Sequence, residues 1–125
     1  MTIPIVRQWQ HLEPATATRD DLRLQRVDEL MRANLDKPLS LEAMAKEACM
    51  SRFHFLRVFK QAFGETPFKR LTRLRMEEAQ RRLTLGRETI QEIAFACGYE
   101  NPTHFAAAFR RTFGITPKAY RKMQR

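Results

Sequence analysis

The sequence predicts an all-α fold of about seven helices, and three observations carry that prediction. Glycines and prolines sit where helices stop and start. No segment between turn signals shows sustained apolar–polar alternation, so no sheet is expected. Two segments also repeat one pattern of apolar residues at helical spacing.

Each element has its own punctuation. Helical patterning places a first helix over residues 20–34. Ser40 and Ser51 are N-cap candidates for helices over 41–48 and 52–63, and Gly64 follows the second as a C′ residue with positive φ would. Thr66 then Pro67 reads as an N-cap with proline at the first helical position, opening a helix over 67–84 with Gly86 beyond it. Thr89 with Glu92 fits a capping box ahead of 90–97, which Gly98 closes. Asn101–Pro102 and Thr116–Pro117 repeat the cap-and-proline signature before 102–113 and 117–123, with Gly114 between those helices. Residues 1–19 hold Pro4, Pro14 and the run ATAT without any period, so they are expected to form a flexible arm. Trp9 within it reads as a residue packed on the domain, not a functional group.

At 125 residues and 14.8 kDa the chain has room for one domain or two very small ones, but not for a catalytic domain plus a regulatory one. Its 23 Lys and Arg against 14 Asp and Glu give a net charge of +9, which points to a polyanionic partner. The excess is not spread evenly. Residues 1–50 carry seven basic and eight acidic side chains, a net of −1, whereas residues 51–125 carry sixteen and six, a net of +10. Any anion-binding face should therefore begin near Ser51, although charge alone does not separate such a face from a solvated helix surface. Two cysteines do not make a disulfide framework, and no apolar run approaches the roughly 20 residues that span a bilayer. The opening MTIPIVRQWQ lacks the pattern of a secretory signal, so a cytoplasmic protein with no membrane partner is expected.

The repeat locates the function. LEAMAKEACMSRFHFLRVFKQAFGETP (residues 41–67) and IQEIAFACGYENPTHFAAAFRRTFGITP (residues 90–117) each read as a short helix, a tight turn and a longer helix. Leu41, Met44, Ala45 and Ala48 match Ile90, Ile93, Ala94 and Cys97 at an offset of 49. His54, Phe55, Phe59, Phe63, Gly64, Thr66 and Pro67 match their counterparts at an offset of 50, so one residue is inserted in the second turn. In a helix-turn-helix the second helix enters the major groove and its N-terminal residues reach the bases. On a wheel turning 100° per residue from Arg52, Phe55, Val58, Phe59 and Ala62 cluster at about 240–340°. Arg52, Phe53, Leu56, Arg57 and Lys60 cluster at about 0–140°, a basic face that also exposes Phe53 and Leu56. In the second copy Phe105, Ala108, Phe109 and Thr112 face inward, while Pro102, Thr103, Ala106, Ala107 and Arg110 face outward.

The paired segments, with LSLEAMAKEACMSRFHFLRVFKQAFGETP followed by the closing IAFACGYENPTHFAAAFRRTFGITPKAYR, resemble the AraC/XylS family of bacterial transcription regulators over about residues 20–123. The closing stretch is long and specific. The resemblance implies two helix-turn-helix units (about 40–64 and 89–114) held by a central helix, with both recognition helices in successive major-groove segments of an asymmetric DNA site. A helix of about 18 residues is about 27 Å long, which helps a monomer place two reading heads about one 34 Å DNA turn apart. It also implies a nucleoid-associated activator that contacts double-stranded DNA and RNA polymerase, without cofactor or metal. Most members carry an effector-binding domain ahead of this region. Because the chain opens on Met1, a stand-alone regulator is expected, the alternative being the DNA-binding piece of a longer effector-responsive protein.

Carried over by position, Phe53, Leu56 and Arg57 would read bases in the first copy, with Arg57 the candidate for bidentate contact to guanine. Thr103, Ala106 and Ala107 hold the equivalent face of the second copy, where two alanines replace Leu56 and Arg57. That unit is expected to supply backbone affinity and shape readout. Arg52, Lys60, Arg110 and Arg111 read as phosphate contacts, joined by Asn101 and by the helix N-termini at Thr66 and Thr116. Cys49 and Cys97 read as small buried hydrophobes. His54 and His104 lack a nucleophile or second metal ligand, so a structural or phosphate-adjacent role is expected. Glu77 and Glu78 are spaced to pair with Arg73, Arg81 and Arg82. No Ser-His-Asp order, phosphate loop or zinc motif appears, and no enzyme is expected. A non-specific architectural DNA binder and a protein-interaction module are the competing classes.

Overall fold

A computed structural model describes residues 18–124, which form seven α-helices and no strand. They are α1 (Arg19–Ala33), α2 (Leu41–Glu47), α3 (Arg52–Phe63), α4 (Pro67–Leu85), α5 (Ile90–Ala96), α6 (Pro102–Phe113) and α7 (Pro117–Met123). The caps explain why these boundaries lie within a residue of the sequence expectation. Ser40, Ser51, Thr66 and Thr116 each accept a hydrogen bond from the backbone N–H three residues on, at 3.0–3.2 Å. Asn101 Oδ1 accepts from both Thr103 and His104.

Two local readings change. Thr89 accepts from the Glu92 backbone, but its own hydroxyl donates to the Glu92 carboxylate, so only half of a capping box forms. The complete box lies at the start of α1. There Thr18 accepts from Asp21 N–H and the Asp21 carboxylate accepts from Thr18 N–H, both at 3.0 Å. Thr18 and Arg19 therefore belong to the first helix and its cap; the remaining arm and Trp9 lie outside the described residues.

The chain divides into two units. One runs to Asn34 and resumes over Leu39–Arg70; the other takes Leu35–Pro38 and Leu71–Arg125, so the division falls inside α4. In the first unit α1 packs on α2 and α3, and α2 packs on α3. Leu24, Val27 and Met31 of α1, Met44 of α2, and Phe55 and Phe59 of α3 are fully buried. The phenylalanines stack along α3 with ring centroids 5.5 Å (Phe55–Phe59) and 4.3 Å (Phe59–Phe63) apart.

The second unit repeats that ladder. Phe105–Phe109 and Phe109–Phe113 lie 6.0 and 4.7 Å apart along α6. Their core partners are Met76, Ala79 and Leu83 of α4 with Ile93 and Ala94 of α5 and Cys97 at its C-terminal cap. Burying each such ring is worth about 1.5–3 kcal/mol, so the ladders are a main source of each unit's stability. Thr112, expected to face inward, is exposed. It lies in the last turn of α6, near Gly114, and its hydroxyl donates to the Ala108 carbonyl one turn back.

On the polar side of the second unit, Glu78 accepts from both Arg81 and Arg82 at 2.7–2.9 Å, and Arg82 continues to Glu88. Hydrogen bonding from Arg81, against the opposing effect of burial, and then from Arg82 holds the Glu78 carboxyl at about 2, below its ordinary 4.5. A depressed acid pKa adds stability that is full above about pH 4.5 and is lost as pH falls toward 2. Glu78→Gln is therefore expected to flatten the acid decline in stability over that window. Denaturant midpoints measured at successive pH values test this; an unchanged slope would count against it.

Candidate nucleic-acid interface

The two turns are built alike. In the first, Cys49 N–H donates to Lys46 O and Met50 N–H to Ala45 O; in the second, Gly98 donates to Phe95 O and Tyr99 to Ala94 O. These pairs keep the offset of 49, whereas the caps Ser51 and Asn101 are offset by 50, so the inserted residue is Glu100. Cys49 corrects an expectation. It is exposed, not buried, because it occupies the left-handed turn position (φ +57°) that Gly98 fills in the other copy. Cys97 is buried as expected, and burial pushes its thiol up to about 11.

The outer face of α3 carries the predicted set. Phe53 is 82% exposed at the start of the helix, and Arg57 and Lys60 are exposed beside it. Leu56 is half-buried, as is its counterpart Ala106, since both lie near the edge of the apolar arc. Two of the basic side chains are already engaged. Arg52 donates to Glu42 of α2 at 2.7 Å, so a phosphate there would compete with a carboxylate. Glu42's pKa is lowered first by its own backbone hydrogen bond and then by Arg52. Arg57 Nη2 donates to His54 Nδ1 at 3.1 Å, a partnership absent from the sequence expectations although its three-residue helical spacing is legible.

On α6, Thr103, Ala107, Arg110 and Arg111 are exposed. Ala106, Ala107, Arg110, Arg111 and Thr116 line a shallow groove of about 580 Å³, so five of the predicted residues share one surface. Asn101 spends its carbonyl oxygen on the helix, leaving its amide N–H groups as donors. The N-termini at Thr66 and Thr116 offer less than expected. Proline at the first position has no N–H, the cap takes that of Lys69 or Ala119, and Arg70 and Tyr120 bond within the turn. Among the described residues of those turns only the Phe68 and Lys118 N–H groups are left.

Among the described residues no group of three His, Cys, Asp or Glu side chains is placed to hold a metal, and no helix is long and apolar enough to cross a membrane.

Each unit thus holds a short helix, a four- or five-residue turn and a longer helix with a basic outer face, the design of a helix-turn-helix DNA-binding protein. Residues 44–123 match the family model described as a helix-turn-helix domain. The sequence is 34% identical over 96 residues to the HTH-type transcriptional regulator ArgR of Pseudomonas aeruginosa, covering 77% of this chain and 29% of that protein. It is 33% identical over 102 residues to the HTH-type transcriptional activator RhaS of Escherichia fergusonii, covering 82% and 37% respectively. A regulator with an AraC-type DNA-binding domain from Chromobacterium violaceum has a similar structure (34% identity, TM-score 0.76, 82% of this chain and 92% of that one). So does the DNA-binding domain of AdpA in complex with a target DNA (33% identity, TM-score 0.77, 81% and 91%). The chain belongs to the AraC-type DNA-binding domains of transcription regulators, which are not enzymes. It spans about a third of the length of the two curated relatives.

Proposed function

We propose that this domain is a sequence-specific transcription activator that binds an asymmetric duplex site as a monomer, with α3 and α6 in successive major-groove segments. The observation that carries this reading is the outer face of α3, where Phe53 is 82% exposed next to the exposed Arg57. A surface used only for solvation would not favour so large an apolar group there. In this reading Arg57 takes guanine and Phe53 and Leu56 make apolar contacts such as to a thymine methyl. Thr103, Ala106 and Ala107 lie against the second half-site and add little base readout. Arg52, Lys60, Arg110, Arg111, Asn101 and the turns at Thr66 and Thr116 hold phosphates. The similarity to the transcriptional activator RhaS supports activation, and an activator also contacts RNA polymerase, in the cytoplasm at the nucleoid.

Selection from a random DNA pool should return one preferred site, bound about 10³-fold or more above bulk DNA. Arg57→Ala is expected to cost about 1–3 kcal/mol of discrimination at a single base pair. Arg110→Ala should weaken all sequences alike and reduce the salt slope by about 1. Base-by-base substitution of the site should give larger penalties in the half facing α3. Equal penalties in both halves would sink the division of labour, and no preference over bulk DNA would favour the architectural alternative, which the net charge of +9 supports.

A further inference from the structure

We propose that His54 is a positioning residue: its imidazole holds the Arg57 guanidinium in the orientation that reads a base. The inference rests on the reading of α3 given above. A guanidinium carries only donors, so the 3.1 Å contact from Arg57 Nη2 to His54 Nδ1 makes the imidazole the acceptor and places the ring proton on Nε2. The bond uses one of five N–H groups, and four remain for the two-pronged contact to guanine O6 and N7.

His54 sits on a capped turn. Its backbone N–H donates to the Ser51 hydroxyl at 3.2 Å, in the first turn of α3, and the residue is half-buried. A long, exposed side chain therefore leans on a shorter, half-buried one a turn earlier, and less of its rotamer freedom remains to be lost when DNA arrives. The repeat contains its own control. His104 is the counterpart of His54 at an offset of 50, but the counterpart of Arg57 is Ala107, and His104 is exposed. The pairing belongs to the copy assigned to base reading.

The test compares dissociation constants for the selected site and for the same site substituted at the base pair that Arg57→Ala identifies. His54→Gln carries its amide farther out, toward the position of Nε2, whereas His54→Asn keeps an oxygen near the place of Nδ1. His54→Gln should lose about 3- to 10-fold in discrimination at that base pair, the scale of one hydrogen bond. His54→Asn should stay within about twofold of the native protein, as should His104→Gln. In an Arg57→Ala background His54→Gln should add nothing. Thermal midpoints and helical circular dichroism establish that each variant is folded. Full discrimination in His54→Gln, equal loss in both His54 variants, or loss spread over all base pairs overturns the proposal. If Arg57→Ala leaves discrimination intact at every base pair, the reading of α3 fails instead.

Discussion

Arg70→Ala is expected to destabilise the first unit by about 3–5 kcal/mol, a large part of the stability of a small domain. Arg70 is only 5% exposed and Asp28 7%. The guanidinium donates to Asp28 Oδ1 through Nε at 2.9 Å and lies as close through Nη2 at 2.8 Å. It also sits 4.4 Å from the centre of the Phe63 ring, at the end of α3, with Glu65 3.9 Å away. Without it Asp28 keeps only Arg32, half exposed, at 3.0 Å, and a buried carboxylate loses its main counter-charge. The cost comes from orphaning that charge, so removing both partners should behave differently. Arg70→Met with Asp28→Leu is expected to recover most of the loss, because buried ion pairs often exchange for apolar groups at little net change. The Arg81–Glu78 pair, in which Arg81 is exposed, gives the contrast: Arg81→Ala should lower the urea midpoint far less than Arg70→Ala does. Urea midpoints for these variants decide the matter. A single-variant loss below about 1 kcal/mol would show that water takes the place of Arg70 beside Asp28.

The elements were legible because their signals are local. A serine or threonine three residues before the N–H it caps, a proline that suits only the first turn, and a glycine tolerant of positive φ all act within a few residues. The outer faces of α3 and α6 followed from periodicity for the same reason, since Phe55 and Phe59 must turn inward wherever the helix packs. What stayed hidden depends on residues distant in sequence. Asp28 and Arg70 are 42 positions apart and Arg75 is 40 from Leu35, so neither contact leaves a pattern in the chain. Cys49 was misread because cysteine is usually buried, whereas here turn geometry decides its place. In the site, spacing placed Phe53 and Arg57 together but did not show that Arg52 is shared with Glu42 or that His54 accepts from Arg57. Such partners compete with or prepare DNA contacts, and they emerge only when rotamers are known.

Gly98→Ala is expected to cost about 2–4 kcal/mol, more than the roughly 1–2 kcal/mol of an ordinary left-handed residue. Gly98 has φ +86°, and a Cβ there would lie 2.5 Å from the Leu35 carbonyl oxygen and 3.0 Å from the Arg75 side chain. Neither neighbour is free to give way. Leu35 O is backbone and accepts from Arg75 Nε at 3.1 Å, while Arg75 Nη2 donates to Lys37 O at 2.9 Å. Arg75 is itself partly desolvated, and burial lowers its pKa. A methyl at Gly98 therefore pushes a carbonyl away from the guanidinium that satisfies it, so strain and a lost hydrogen bond add together. The first copy offers the matched comparison. Cys49 already bears a side chain at the same turn position with φ +57°. Cys49→Gly should thus change stability by less than about 1 kcal/mol, relief of strain being offset by the freer unfolded chain. Comparable losses at both positions would mean that positive φ alone sets the cost, and that the Leu35 carbonyl yields more readily than its bond to Arg75 implies. A large loss confined to Gly98, read by urea midpoint, would tie the second turn to the two carbonyls, of Leu35 and Lys37, that Arg75 holds. DNA affinity measured well below the midpoint should then fall only as far as the folded fraction does.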